Sequence, residues 1–278
     1  MKPAYTLLLL ILLAACKKEK LDQGEQLVSI NFQNTSMELI SMLQGAPASQ
    51  RVTILLDTPV VYTPDENLRD KGVQLPYFNS GYSDANSYNL FFYPNVRYNT
   101  TEPWMTYIRI PAGMHTTGVV DTANRQLTYG KINLQPEKHY SIFVTDSAGI
   151  FDMVPAEDDR QIVQGKIRIR LAHMSPSSDT VCLSAGKDRV LAFEQGVRFK
   201  EVTSFQEFPL DSNQPFTVRV YQKSDSSVIL SRTFINAMPG RSYTIIFRGY
   251  THPVTYKNKF QVTQHFERNA ELFIERMY

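Results

Sequence analysis

The sequence predicts an all-β protein built from two consecutive β-sandwich domains. Three features carry this prediction. Apolar and polar residues alternate over many short segments, polar turn sequences separate those segments, and two distant stretches share one pattern. Helical periodicity is scarce along the chain, so a mainly helical fold is excluded.

The alternation is clearest at residues 52–56, 167–171 and 216–220, where every second side chain is apolar. Such strands bury one face and expose the other. We therefore expect Arg168 and Arg170 to lie on the solvent face of their strand. Polar turn sequences, such as those at residues 211–214 and 223–226, separate the strands.

The shared pattern occurs at residues 134–142 and 237–245. In both stretches a proline precedes a tyrosine by four residues, and a hydroxyl residue and an isoleucine follow it. The pattern resembles the tyrosine corner of immunoglobulin-like sandwiches, in which the phenol oxygen bonds to upstream backbone. The two tyrosines are Tyr140 and Tyr243.

A second alignment supports a duplication. Residues 28–36 can be placed over residues 167–175, which pairs Asn34 with His173. We predict two tandem immunoglobulin-like domains at residues 27–160 and 161–278, separated within a polar stretch. A single larger β-structure is the alternative.

The start of the chain has the features of an export leader. A short apolar segment begins at Leu7 and ends in Leu-Ala-Ala before Cys16, and Lys2 precedes it. The segment is shorter than the about 20 residues that a membrane span requires, which fits a signal peptide. The arrangement resembles the lipobox of bacterial lipoproteins. An ordinary secretory signal with an incidental cysteine is the alternative.

The lipobox resemblance implies that residues 1–15 are removed and that Cys16 receives a diacylglyceryl group and an amide-linked acyl chain such as palmitate. Residues 16–26 would then form a tether from the membrane. The lysine-rich residues 17–20 loosely resemble export signals of surface lipoproteins in the Bacteroidetes, which are usually more acidic. We therefore predict a lipoprotein of the outer membrane in the cell envelope. The protein could lie on either the periplasmic or the surface side of that membrane.

Composition excludes some partners. The formal net charge is +2, so no strong field selects nucleic acid. A hydrophobic fraction of 42% is sufficient to build real cores. The chain has two cysteines. If Cys16 carries lipid, Cys182 has no intramolecular partner, and we expect it to be a small buried apolar residue.

Residues 165–176 resemble the opening of the domain-of-unknown-function 4397 family, whose arginine-bearing first strand runs into a His-x-Ser-Pro turn. Residues 239–247 resemble its late proline-to-tyrosine segment. The first half resembles a diverged copy that lacks His-x-Ser-Pro and holds an insertion at about residues 63–106. The resemblance implies secreted or lipid-anchored β-sandwich modules, often in tandem, with no established chemistry.

Motifs for catalysis are not found. None of the five histidines has the His-Glu-x-x-His spacing of zinc proteases, and neither Cys-x-x-Cys nor Gly-x-Ser-x-Gly occurs. We predict no enzyme activity, no cofactor and no metal. His173 is predicted to hold a turn, because its counterpart Asn34 cannot exchange a proton near neutral pH.

The insertion is rich in aromatic residues. Residues 77–107 contain ten of them, including the single tryptophan, with asparagines between them. Aromatic faces beside amides would suit a sugar ring. Trp104, Tyr98 and Tyr82 are the candidate platform residues if they are exposed. The alternative is that these side chains pad a long loop against the core.

Three short sequences suggest a covalent modification. Thr122, Ser147 and Thr180 each follow an aspartate and precede a small apolar residue. This resembles the acceptor pattern of Bacteroidetes protein O-glycosylation.

The predicted function is a non-enzymatic, lipid-anchored binding or scaffold protein of the cell envelope. Its expected partners are the membrane, through Cys16, and a glycan or an envelope protein, but no nucleic acid. One alternative is a structural spacer or adhesion module that contacts another envelope protein. An uncatalogued hydrolase is the other.

Overall fold

The computed structural model describes residues 26–45, 53–57, 107–120, 126–186 and 190–277. Within these ranges the chain forms strands and a single helix, α1 (Met37–Gly45), which confirms the all-β prediction. The strands of the first half are β1 (Leu27–Asn34), β2 (Thr53–Leu56), β3 (Ile108–Pro111), β4 (Gly113–Val120), β5 (Gln126–Leu134), β6 (His139–Ser147) and β7 (Ile150–Glu157).

The second half contributes the remaining strands. They are β8 (Lys166–Met174), β9 (Val181–Ala185), β10 (Val190–Val197), β11 (Glu201–Val202), β12 (Gln206–Pro209), β13 (Gln214–Gln222), β14 (Val228–Ala237), β15 (Ser242–Arg248), β16 (Val254–Lys257), β17 (Thr263–Phe266) and β18 (Glu271–Arg276).

Two sheets form a sandwich in the first half. One has the strand order β3-β1-β6-β7 and the other has the order β2-β4-β5. Apolar side chains from both sheets meet in one buried cluster, as face-to-face packing requires. Its fully buried members include Ile30 of β1, Ile110 of β3, Val119 of β4 and Ile142 of β6.

The second half is also a sandwich. One sheet has the order β11-β8-β15-β18, with β12 also paired to β8, and the other has the order β10-β9-β13-β14. The buried cluster between them includes Ile169 of β8, Leu183 of β9, Val218 of β13 and Ile245 of β15. The sandwich fold predicted from the sequence is therefore confirmed.

A parallel strand pair lies inside each half. β1 runs parallel to β6, with Ile30 opposite Tyr140. β8 runs parallel to β15, with Ile169 opposite Tyr243. These are the pairings that the sequence alignment of the two halves implies. The domain limits at residues 160 and 161 stay a prediction.

Both tyrosines form the corner that the sequence predicts. The hydroxyl of Tyr140 accepts a hydrogen bond from the backbone N–H of Gln135 at 3.4 Å. The hydroxyl of Tyr243 accepts one from the N–H of Met238 at 3.0 Å. Each bond ties the start of a central strand to the turn before it.

Asn34 and His173 make corresponding turn contacts. Asn34 Oδ1 accepts from the N–H of Ser36 at 2.9 Å. His173 Nδ1 accepts from the N–H of Ser175 at 3.3 Å, while its Nε2–H donates to the carbonyl of Asp179 at 3.0 Å. The imidazole is fully buried, and burial lowers its pKa to about 4. His173 therefore holds a turn as a neutral ring, as predicted.

Helix α1 follows the turn at Ser36. The Oγ of Ser36 accepts from the N–H of Leu39 at 3.0 Å, which caps the first turn. Leu39 is buried in the first core. Across the described ranges, no helix has the length and apolar character to cross a bilayer.

Candidate functional site

Several predicted site residues lie outside the described part of the chain: Cys16, Tyr82, Tyr98, Trp104 and Thr122. Ser147 and Thr180 are described. Ser147 is half-buried at the end of β6, and Thr180 is half-buried just before β9.

Tyr107 is the member of the aromatic run that the structure describes. Its hydroxyl donates to Asp158 Oδ2 at 2.8 Å, and its ring meets His139 edge-on at 5.2 Å. Burial, followed by the charge of Asp158, raises the pKa of Tyr107 far above its usual value. Tyr107 therefore faces inward and contributes to structure.

His115 connects the stems on either side of the insertion. Its Nδ1 lies 2.6 Å from Asp57 Oδ2, and its Nε2 lies 2.7 Å from the carbonyl oxygen of Pro111. Asp57 directly follows β2, and Pro111 ends β3. The N–H of Thr116 also donates to Asp57 Oδ1 at 2.9 Å. These contacts hold the two stems against β4.

The two halves meet in a junction that begins at a buried ion pair. Arg170 of β8 donates from Nη2 to Oδ1 of Asp158, which follows β7. Both side chains are essentially inaccessible, at 1% and 0% exposed. Arg170 also donates to the carbonyl of Glu157 at 2.8 Å and to Oγ1 of Thr244 at 2.9 Å. Ser141 donates to Asp158 Oδ2 at 2.7 Å.

This arrangement corrects the expectation for β8. Arg168 and Arg170 were expected on a solvent face, but they are 7% and 1% exposed. The first half covers that face of the strand. The alternation correctly indicated a strand, yet it could not show that a second packed surface lies behind the arginines.

An apolar cluster continues the junction. It combines side chains of β6 in the first half with side chains of β8 and β15 in the second. Its buried members are Phe143, Ala172, Met174 and Ile246. Val154 and Ala156 of the first half and Val202 and Phe273 of the second half pack against it.

A network of polar side chains also connects the two halves at the junction. Tyr256 donates to Glu38 Oε2 at 2.9 Å, and the amide of Asn258 donates to Glu38 Oε1 at 2.8 Å. Tyr250 donates to Asp146 Oδ2 at 3.2 Å and lies within 3.4 Å of the Tyr256 hydroxyl. The network therefore joins α1 and β6 of the first half to the segment after β15.

Asp146 is the central carboxylate of this network. Burial raises its pKa, and hydrogen bonds from Ser36, the N–H of Gly149 and Tyr250 act in the opposite direction. Ser36 thus caps α1 and also contacts Asp146 Oδ1. A carboxylate needs such donors when it is removed from water.

The β16–β17 hairpin reaches from the second half onto the first. At its tip, Phe260 packs against the first core. Lys259 Nζ donates to the carbonyl of Leu127 at 2.6 Å. Asn258 lies against Gly149, where a side-chain Cβ would stand 2.8 Å from Asn258 Cβ. The hairpin therefore holds the two halves together.

Gly149→Ala tests this contact. Gly149 has φ +76°, and an alanine there would both adopt an unfavourable backbone conformation and displace Asn258. The left-handed conformation alone costs about 1–2 kcal/mol. We expect a larger loss of unfolding free energy than this, and faster amide exchange at residues 254–266.

Gly165→Ala is the matched control. Gly165 also has a left-handed φ, +69°, but the nearest atom to an added Cβ is 4.0 Å away. It should incur the backbone cost without moving the hairpin. Equal losses for both variants, with unchanged exchange at residues 254–266, would contradict the docking role of Asn258.

The junction holds the buried ion pair of Arg170 with Asp158 and the buried carboxylates of Glu38 and Asp146, whose partners include side chains of the other half. Within the described ranges, no three histidine, cysteine, aspartate or glutamate side chains are grouped to hold a metal ion. The contacts of the junction serve to hold the two sandwiches together.

An open groove lies beside the edge strand β10. The pairing of β10 with β9 is interrupted between Ala192 and Val197, so residues 193–196 bulge. The groove measures about 470 Å3. It is lined by Phe193, Glu194, Gln195, Gly196 and Val197 of the bulged strand and by Thr203 and Gln206 near β12.

The lining of the groove carries few ionisable groups. Glu194 is the one acidic side chain in its lining, and no basic or thiol group joins it there. Cys182 lies behind the bulge, with Sγ 4.0 Å from the carbonyl oxygen of Glu194. Burial raises the pKa of the Cys182 thiol, so it stays protonated and is a poor nucleophile. Cys182 is buried, as predicted.

A family model described as domain of unknown function (DUF4397) matches residues 38–184, which is more than half of the chain. The chain belongs to this family. In this DUF4397 protein the match runs from α1 to β9 and so crosses the junction. It includes residues 165–176, which carry the resemblance seen in the sequence. That the chain holds two copies of the family domain stays a prediction.

Two solved structures from Bacteroides ovatus align with most of this DUF4397 protein. One, described as a "putative adhesin", is 8% identical, has a TM-score of 0.20 and aligns over 90% of this chain and 94% of its own. The other, described as a "putative cell adhesion protein", is 9% identical, has a TM-score of 0.17 and aligns over 92% and 99%. Likenesses this weak carry no functional conclusion. No curated protein matches the chain.

Sequence reasoning missed both the junction and the groove. The junction had one available signal, since the strand with Arg168 and Arg170 follows the aspartates at 158 and 159 closely in the sequence. The groove had a weaker signal in Gly196, which stands inside a strand-like segment.

Proposed function

We propose that this DUF4397 protein is a non-enzymatic, lipid-anchored binding or scaffold protein of the bacterial outer membrane. One observation carries the proposal. In the described part of the chain, buried ionisable groups such as the Arg170–Asp158 pair and Glu38 join the two halves and do not line the open groove beside β10. A catalytic site needs such groups beside a space for substrate. Two sandwiches joined through a buried junction and presented from a membrane tether suit binding.

The anchor is the second part of the proposal. Cys16 follows an apolar leader, and residues 17–26 precede β1. One acyl chain gives only marginal membrane binding, whereas two or more anchor a protein stably. Three chains on Cys16 would hold the two sandwiches at the envelope without any membrane-spanning segment.

Cys16→Ala is expected to abolish lipidation. The wild-type protein should incorporate an alkyne-labelled fatty acid and fractionate with membranes, and the variant should do neither. Cys182→Ala is the matched control, because it removes the other cysteine and should leave both properties unchanged. A Cys16→Ala protein that remained with membranes at the wild-type processed size would contradict the anchor.

A structural spacer or adhesion module is the second candidate. The long edge strand β14 favours it, because in the described part of the chain its outer edge pairs with no strand. Ile235 on this strand is 68% exposed and Val228 is 54% exposed. Open strand edges are sites where another chain can add a strand.

The aromatic platform of Trp104, Tyr98 and Tyr82 remains a proposed glycan contact, and Thr122, Ser147 and Thr180 remain proposed O-glycosylation sites. Thr180 is half-buried and lies against Gly196, where a Cβ would come within 2.3 Å of its Cγ2. A glycan there would adjoin the bulge of β10.

A further inference from the structure

The groove beside β10 is built on a strained and fixed backbone. Phe193 has φ +59°, a conformation that bulky residues rarely adopt. Gly196 has φ +81°, and a Cβ there would overlap Thr180. Lys223 Nζ holds the bulge by donating to the carbonyl of Gln195 at 2.6 Å. Strained backbone that surrounding contacts maintain is common at binding sites.

The lining has a distinct chemical character. Phe193 is half-buried: its ring packs against the second core and also lines the groove. Gln195, Gln206 and Glu194, which also line the groove, are exposed. Carboxamides both donate and accept hydrogen bonds, and a carboxylate accepts them. An apolar face with such a rim matches a sugar ring, which has an apolar C–H face and peripheral hydroxyl groups.

Addition of a peptide strand fits the groove less well. A strand would need free backbone groups along β10. In the bulge, the carbonyl of Gln195 is occupied by Lys223, and that of Glu194 faces the thiol of Cys182. These two carbonyls are therefore not open to an added strand, which favours recognition by the side chains of the lining.

The size of the groove and the charges around it also indicate which class of ligand it could bind. A volume of about 470 Å3 falls within the range of small-molecule sites. The negative charge of Glu194 in the lining is balanced by Lys223 Nζ, which binds the Gln195 carbonyl at the bulge, so the site carries no net charge that would select an ionic ligand. We infer that the groove is a binding site for a neutral saccharide of one or two rings, with Phe193 as the stacking face. This inference rests on the proposed binding function and names the ligand class of one site.

The test uses the full mature protein in a sugar-free detergent, with maltose, cellobiose, lactose and chitobiose as probes. Saturation-transfer NMR detects binding, and titration gives its strength. We expect at least one disaccharide to bind. Phe193→Asn should weaken that binding about tenfold, the scale of one lost aromatic contact. Asparagine tolerates a left-handed φ, so the variant should retain the bulge.

Gln206→Ala should also weaken binding, with Glu207→Ala as its control. Glu207 is adjacent in β12, but its carboxylate pairs with Lys166 at 2.7 Å and is not part of the lining. A thermal unfolding midpoint close to that of the wild type shows that each variant is folded.

Three results would overturn the inference. They are failure of all four disaccharides to bind, unchanged binding in Phe193→Asn with loss in Trp104→Ala, and displacement of the sugar by tetra-alanine. The fractionation of Cys16→Ala is independent of all three. Failure of the saccharide site would therefore leave the proposed lipid-anchored function standing.

Discussion

Replacing Arg170 with alanine is expected to lower the free energy of unfolding by about 3–5 kcal/mol. The substitution leaves the carboxylate of Asp158 buried at the junction with only hydroxyl donors, from Tyr107 and Ser141. Removal of one partner from a buried pair is costly, because the remaining charge has lost both its counter-ion and its water. Urea unfolding followed by fluorescence and by circular dichroism measures the change.

Lys166→Ala is the control for this experiment. Lys166 lies on the same strand and pairs with Glu207 at 2.7 Å, but both side chains are over 40% exposed. Exposed pairs contribute little, so the unfolding midpoint should hardly move. Asp158→Asn combined with Arg170→Ala should cost less than the sum of the single changes, because the two residues interact directly. Similar midpoints for Arg170→Ala and Lys166→Ala would contradict a buried junction pair.

Acid should destabilise the protein through His173. Burial lowers the pKa of His173 from 6.5 to about 4. Between these values the unfolded chain binds a proton that the folded chain does not, so the unfolding free energy falls as pH falls from about 6.5 to 4. The stabilisation is complete above pH 6.5. The pKa difference corresponds to about 3 kcal/mol.

The first half provides the control for this prediction. Asn34 makes the corresponding turn contact without a titratable group, so His173→Asn should retain the bond to the Ser175 N–H. Unfolding free energies at several pH values from 7 to 4 should fall less steeply for His173→Asn than for the wild type. Comparison of the two removes the contributions of other groups, including Asp146. Parallel curves would show that His173 is not the acid-sensitive residue.

Local sequence patterns were sufficient for much of the fold. Period-two alternation predicted the strands, because a strand that covers a core must place apolar side chains on one face. The proline-to-tyrosine spacing predicted the two corners at Tyr140 and Tyr243, since that bond closes within six residues. The alignment of Asn34 with His173 predicted a turn contact for the same reason.

The candidate sites were predictable only in part. Cys16 is predicted from its immediate neighbours alone, because the lipobox that they resemble is a local pattern, and its lipidation stays a prediction. The groove at Phe193 could not be predicted, because its second wall comes from Thr203 and from Gln206 of β12, which pairs with β8 in the other sheet. No spacing in the sequence indicates which edge of one sheet lies beside which edge of the other.

The sequence by itself determined the strands, the two tyrosine corners and the burial of Cys182 as a small apolar residue, since each depends on residues close together in the chain. Only the tertiary structure decided what covers the second face of β8. That face carries Arg170, which alternation alone assigns to solvent, and it is buried because the first half packs against it. Contacts such as Glu38 with Asn258, 220 residues apart, arise only when both sandwiches are complete.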